Sequence, residues 1–149
     1  MVAKQESFPL IPDSIITFDR AYVDFKRFQA YEDANVFFVT RSKENLRFEL
    51  LGQQDIPKKK GLQFDQIVQI NDPKQRQKYP GKLRLIGYYD HDRNKTYIFI
   101  TNNFKLAAIT ISEIYKARWQ IELFFKWIKQ NLKIKTFLGT SKNAVLSQI

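Results

Sequence analysis

Four polar residues of one predicted helix have the types and spacing to place a carboxylate beside a phosphate. The stretch 114–135, IYKARWQIELFFKWIKQNLKIK, has helical periodicity. At about 100° per residue, a wedge of about 60° contains Tyr115, Arg118, Glu122 and Lys129. Lys126 and Lys133 flank this wedge. One carboxylate among several cations suits the binding of a metal ion next to a phosphate group.

An apolar stripe beside the wedge predicts that the helix packs on the rest of the protein. The stripe consists of Ile114, Ile121, Phe125, Ile128 and Leu132. A second interpretation of Glu122 stays open. Arg118 and Lys126 stand four residues away on either side, and either could form an ordinary helix-surface ion pair with it.

A second carboxylate, Asp19, directly follows a predicted buried strand. The run 14–18, SIITF, is apolar and rich in β-branched residues. The carboxyl end of such a strand is where α/β folds place their chemistry, although Asp is also a favoured helix N-cap. Arg41 follows the next predicted strand, 36–40. It is either a phosphate ligand or an exposed strand terminus.

The elements that must position these residues form an α/β pattern. A helix is predicted over 22–30 and a turn over 32–35. Strands are predicted at 46–50, 64–70, 83–89 and 96–101, with a basic loop over 71–80 and a hairpin turn over 90–94. The long helix is predicted to start at Thr110 or Ser112, and a further helix at Ser141. We therefore expect 42–101 to be an antiparallel, β-rich region.

Composition favours a polyanionic partner. The 149 residues carry a net charge of +10, and positive charge is concentrated in 56–86 and 105–149. Nucleic acid is expected before a membrane surface, although charge does not separate DNA from RNA.

The lack of Cys excludes disulfides and thiolate metal sites, and the single His91 excludes most His-based zinc sites. The sequence shows no signal peptide or membrane-spanning run, so a cytoplasmic location is expected.

The four-residue spacing resembles the motif of a known family. Tyr115-x2-Arg118-x3-Glu122-x6-Lys129 is similar to the Tyr-Arg-Glu-Lys motif of one group of bacterial insertion-sequence transposases of the DDE type. The segments DRAYVDF (19–25) and FFVTRSK (37–43) resemble the region around that family's second catalytic Asp. The TNN of 101–103 resembles the residues ahead of its long helix.

The resemblance implies a partial ribonuclease-H-like α/β fold in a DNA transposase. The implied units are a core strand–helix–strand at 14–41, a β-rich insertion at 42–101 and carboxyl-terminal helices at 107–149. Asp19 would be the second metal ligand and Glu122 the third, in two-metal catalysis with Mg²⁺ or Mn²⁺. The reaction would be hydrolysis of phosphodiesters at transposon ends, followed by strand transfer.

The resemblance also implies a double-stranded DNA partner. Tyr115, Arg118 and Lys129 would hold the transposon end. Charge adds further expected phosphate contacts at Arg41, Lys126, Lys133, Lys58, Lys59, Lys60, Arg76, Lys78 and Lys82. A homodimer is expected for the intact family, at the bacterial nucleoid.

The start of the chain departs from the family pattern. The family's first catalytic Asp lies well upstream of the second, whereas 18 residues precede Asp19 here. We therefore expect a fragment that is inactive alone, because loss of a metal-ligating carboxylate removes two-metal catalysis. Two rival predictions are a non-catalytic DNA-binding protein that inhibits the intact transposase, and an RNA-binding basic protein.

Overall fold

The computed structural model of the chain describes residues 10–19, 24–42, 47–57 and 61–131. The strands are β1 (Ile15–Phe18), β2 (Phe37–Arg41), β3 (Phe48–Gln53), β4 (Leu62–Ile70), β5 (Leu83–Asp90) and β6 (Lys95–Thr101). The helices are α1 (Phe25–Asp33), α2 (Pro73–Lys78) and α3 (Ala108–Asn131). The predictions for Lys58 to Lys60, for Lys133 and for a helix at Ser141 lie outside the described residues.

The described strands form one six-stranded sheet in the order β1-β2-β6-β5-β4-β3. The pair β1 and β2 is parallel, and every other neighbouring pair is antiparallel. The predicted α/β class is therefore confirmed. Strands from 14–41 and from 42–101 belong to the same sheet, so the division into a core and an insertion stays a prediction.

Helix α1 covers one face of the sheet. Phe25, Phe28 and Tyr31 recur at intervals of three residues and are buried. The helix begins at Phe25 because the side chain of Asp24 caps it, accepting a hydrogen bond from the Lys26 amide. It continues to Asp33, three residues past the predicted end, so the turn predicted over 32–35 is confined to its second half.

The basic stretch predicted as a loop over 71–80 contains helix α2, and that prediction was wrong. Asp72 caps the helix by accepting from the Lys74 amide, and Pro73 occupies its first turn. The helix buries none of its own residues, so its sequence lacks the apolar period that marks a packed helix. Tyr79 follows it and anchors it in the core on the α1 side.

Helix α3 covers the opposite face. It begins at Ala108, earlier than predicted, after a turn in which the Asn103 side chain accepts hydrogen bonds from two amides. Ser112 lies inside the helix and donates to the Ala108 carbonyl, so the prediction that it starts the helix was wrong. No helix of the described residues is long and apolar enough to cross a membrane.

The face of α3 that packs on the sheet differs from the predicted apolar stripe. The buried residues of α3 are Ala108, Ile111, Ser112 and Tyr115, whereas Ile114, Ile121, Phe125 and Ile128 are half-buried. The described α3 residues in the core between this helix and the sheet extend only as far as Trp119. Beyond Trp119, large apolar side chains such as Leu123 and Trp127 are exposed.

Candidate nucleic-acid interface

Two predicted site residues lie at the carboxyl ends of the parallel strands. Phe18 pairs with Thr40, so Asp19 and Arg41, which follow them, are level with one another. The Thr40 hydroxyl donates to the Phe18 carbonyl at 2.7 Å and ties the two strand ends together. Asp19 and Arg41 are both half-buried. The structure therefore brings the strand-tip carboxylate and the strand-tip arginine to the same edge of the sheet.

Arg41 lies towards the α3 face, and Asp19 has the sequence spacing of the residues on that face. Ile16 and Phe18 belong to the core on the α1 side and Ile15 to the core on the α3 side, and Asp19 follows one residue past β1. Arg41 is on that side, because its guanidinium carbon lies 4.8 Å from the centre of the Tyr97 ring. Asp19 does not cap α1, since Asp24 does.

Helix α3 runs towards this edge. Tyr115 packs on Phe99, the β6 residue that pairs with Arg41. One turn later in the helix, Trp119 packs on Tyr97, which is two residues closer to the β5–β6 hairpin along β6. Glu122 follows Trp119 by less than one turn. The helix backbone thus carries Glu122 to the end of the sheet where Asp19 and Arg41 lie. The Glu122 side chain itself lies outside the described residues.

The side chains of the other predicted wedge residues differ in how far they are exposed to solvent. Tyr115 is only 1% exposed and packs between Phe99 and Trp119. Arg118 and Lys129 are half-buried, and Lys126 is exposed. The cations of the wedge are therefore partly open to a ligand, whereas the Tyr115 ring belongs to the core beneath the helix.

A buried ion pair positions the start of α3. Arg84 Nε donates to Asp65 Oδ1 at 2.9 Å and Nη2 donates to Asp65 Oδ2 at 2.7 Å. The remaining nitrogen, Nη1, donates to the carbonyls of Asn103 and Leu106 at 3.1 and 2.6 Å. Arg84 thus fastens the β6–α3 connection to strands β4 and β5. Sequence analysis missed this pair, although a charged residue inside each apolar strand was a visible signal.

Sequence analysis also missed a group of cations stacked on aromatic rings beside the site. The Arg93 guanidinium carbon lies 3.9 Å from the centre of the Trp119 ring, and Lys95 Nζ lies 5.4 Å from that of Tyr97. Lys116 Nζ donates to the Tyr88 hydroxyl at 2.7 Å, and this hydrogen bond raises the pKa of Lys116. Arg93 belongs to the predicted hairpin turn 90–94, DHDRN, but nothing in the sequence of that turn indicates that Arg93 contacts Trp119 on α3.

Carboxylates are the ligands that Mg²⁺ and Mn²⁺ prefer, so Asp19 and Glu122 are chemically suited to a divalent cation. Within the described residues, no three His, Asp or Glu side chains are grouped to hold a metal ion. Asp19 is the described member of the predicted pair.

These features define a basic α/β domain with charged side chains at two strand ends and along one helix. The chain belongs to the family described as Transposase DDE domain, whose family model matches residues 3–149. The predicted family of DDE transposases is thereby confirmed. Its narrower subgroup with the Tyr-Arg-Glu-Lys motif stays a prediction.

Curated relatives carry transposase names. One, from Sinorhizobium fredii, is 39% identical over 136 residues, which are 89% of this chain and 38% of the relative. Another, from Geobacillus stearothermophilus and named for insertion sequence element IS5377, is 30% identical over 91% of this chain and 36% of its own length. A third, from Synechocystis and named for element IS4SA, is 26% identical over 92% of this chain.

The chain spans well under half the length of each of these relatives. No solved structure gives a significant match.

Proposed function

We propose that this chain is part of the catalytic domain of a bacterial insertion-sequence transposase. Its reaction would be metal-dependent cleavage of double-stranded DNA at transposon ends, followed by strand transfer. The observation that carries the proposal is that Asp19 and Arg41 lie at adjoining strand ends and that α3, which bears Glu122, runs towards that end of the sheet, in a chain of the DDE family.

Some of these side chains would bind the metal ion, and others would bind the DNA. Asp19 and Glu122 would hold Mg²⁺ or Mn²⁺. A divalent cation at such a site stabilises negative charge on the phosphodiester and activates the attacking oxygen. Arg41, Arg118 and Lys129 would bind the DNA backbone, with Lys126 and Lys133 as further contacts. Because Tyr115 is buried, its part would be to hold α3 on the sheet, so that Arg118 and Lys129 further along the helix face the DNA.

The family resemblance supports two more parts of the proposal. The intact transposase would act as a homodimer at the bacterial nucleoid. The units 14–41, 42–101 and 107–149 would correspond to core, insertion and carboxyl-terminal helices.

Binding of Mn²⁺ alone tests the metal-ligand assignment without requiring catalysis. We expect Asp19→Asn and Glu122→Gln each to weaken Mn²⁺ binding by about tenfold or more, because each replaces an anionic oxygen ligand. Electron paramagnetic resonance of free Mn²⁺ measures this in a titration. The matched control is Asp33→Asn on the opposite face, an exposed carboxylate that accepts a hydrogen bond from Gln29. Equal Mn²⁺ affinity in all variants and wild type would contradict the assignment.

A second candidate function is DNA binding without cleavage, in which the chain occupies transposon ends and inhibits intact enzyme. It is favoured by the net charge of +10, which supports DNA binding without requiring a metal site. Incubation of the purified chain with a transposon-end duplex and Mg²⁺ distinguishes the two. Cleavage supports the enzyme, whereas salt-sensitive binding without cleavage supports the inhibitor.

A further inference from the structure

The β5–β6 hairpin and the end of β2 place three cations on two touching aromatic rings. We call this set the hairpin platform: Arg41, Arg93 and Lys95 with the rings of Tyr97 and Trp119. The two ring centres are 4.9 Å apart. The platform joins residues from β2, from the hairpin and from α3, so it exists only in the folded protein.

The platform cations all lie over aromatic rings, and one of them, Arg93, also forms a long ion pair with Asp90. Among the described residues, Arg41 and Lys95 form no ion pair, and Arg93 reaches Asp90 only at 3.9 Å. Tyr97 is buried and supplies a fixed face. A guanidinium stacked flat on a ring keeps its N–H edge free for bidentate bonding to phosphate. Such prior orientation lowers the entropy that is lost when a ligand binds.

The position of the platform indicates which ligand it takes. Arg41 is level with Asp19, and the platform continues from there to the hairpin, on the face and in the direction that α3 follows. A DNA strand with its reacting phosphate at Asp19 would therefore pass its neighbouring phosphates over Arg93 and Lys95.

We propose that the hairpin platform binds successive phosphates of the DNA strand next to the reacting phosphodiester. This proposal rests on the proposed function and adds Arg93 and Lys95 to its DNA-binding residues. The ligand class is the phosphodiester backbone, independent of base sequence, because stacked guanidinium and ammonium groups recognise charge and oxygen geometry.

The basic helix α2 provides a matched control. Lys74 and Arg76 are exposed there, but α2 lies with α1 and Tyr79 on the other face of the sheet. Arg76 donates to the Gln69 side chain and has no ring partner among the described residues. Arg76 is therefore not among the proposed DNA-binding residues, although charge alone predicts a phosphate contact there. Neutralising either Lys74 or Arg76 changes the net charge by one, as neutralising Arg93 or Lys95 does, without altering the platform.

Affinity for a short labelled DNA duplex, measured by fluorescence anisotropy over a salt series, tests the proposal. We expect Arg93→Ala and Lys95→Ala each to lower affinity and to reduce the slope of log K against log salt by about 0.9, the value for one phosphate contact. We expect Lys74→Ala and Arg76→Ala to keep the wild-type slope. Arg93→Lys should keep the slope but bind more weakly than wild type, because it retains the charge and loses the guanidinium that lies over the Trp119 ring.

Tryptophan fluorescence distinguishes direct contact between the DNA and the hairpin platform from a general effect of charge. The chain has two Trp residues, so in a Trp127→Phe background the emission comes from Trp119. Duplex binding should change that emission in the Arg93-containing protein and change it less after Arg93→Ala.

The negative results of these binding experiments distinguish failure of the platform proposal from failure of the proposed function. If wild type binds duplex DNA while both platform variants keep its affinity and slope, the platform proposal is overturned. Equal losses in the α2 controls would overturn it too, since they would show a nonspecific charge effect. If wild type does not bind duplex DNA at all, the proposed function fails.

Discussion

Arg84 illustrates how one buried side chain can control the placement of a helix. Its side chain is 3% exposed, as is that of Asp65, and it is bonded both to that carboxylate and to the connection that precedes α3. The orientation of α3, and therefore the position of Glu122, depends on this pair.

Arg84→Ala should lower the free energy of unfolding by about 3–5 kcal/mol, because it leaves the Asp65 carboxylate buried without a partner. Chemical denaturation measures the change. The double variant Arg84→Met, Asp65→Leu should recover part of the loss but not all, since the Asn103 and Leu106 carbonyls still lack their donor. A loss below about 1 kcal/mol would show that the pair does not hold the connection.

Tyr115 is implied by the sequence motif to bind DNA, but its side chain is buried. If its role is to pack, Tyr115→Phe should leave duplex affinity unchanged, whereas Tyr115→Ala should destabilise the fold by about 3–5 kcal/mol, as truncation of a buried aromatic does. Anisotropy and thermal unfolding measure the two effects. Loss of affinity in the Phe variant, with stability kept, would instead support the direct DNA contact that the motif predicts.

At the scale of elements, the core between α1, α2 and the sheet contains buried tyrosines. Tyr79 packs against Phe28 with ring centres 6.4 Å apart. Burial, together with the nearby Glu32 carboxylate, raises the pKa of Tyr79 well above its ordinary value of 10.0. Burial also raises the pKa of Tyr31.

These shifts predict alkaline unfolding. A raised folded-state pKa stabilises the fold fully below the unfolded pKa of about 10, and this stability is lost as the pH rises through the folded pKa. Tyr79→Phe should therefore make the free energy of unfolding less steeply dependent on pH above 10. The expected cost at neutral pH is about 1 kcal/mol, for loss of the hydrogen bond between the Tyr79 hydroxyl and the Glu32 carboxylate. Denaturation at several pH values measures both terms. Ile86→Val is the control, because Ile86 lies in the core on the α3 side, away from Tyr79 and Tyr31, so its loss should lower stability equally at every pH.

At the scale of the whole molecule, the net charge of +10 should make nucleic-acid binding strongly dependent on salt. The logarithm of the binding constant should fall linearly with log salt, by about 0.9 per duplex phosphate contacted. Competition between unlabelled duplex DNA and RNA of equal length separates the transposase from the RNA-binding rival. Duplex DNA should displace the labelled duplex at lower concentration, whereas stronger displacement by single-stranded RNA would favour the rival.

Much of the fold could be predicted because its signals are local. Short β-branched runs identified β1 and β2, and alternation and turn residues identified the β5–β6 hairpin. Helix α2 was missed because a surface helix without buried residues has no apolar period. The packed face of α3 was assigned wrongly because helical periodicity shows which residues share a face, not how much of the helix a sheet will cover.

The sequence by itself determined the charge of the molecule, the position of Asp19 after a strand, and the grouping of Arg118, Glu122 and Lys129 on one side of a helix. These depend on composition, on strand length and on the 3.6-residue turn, all of which are local. Only the tertiary structure decided that β6 lies beside β2, that Tyr115 is buried, that Arg84 holds Asp65, and that Arg93 stacks on Trp119. Each of these pairs residues distant in the chain, and their contacts arise from the packing of the sheet and helices, which no local spacing encodes.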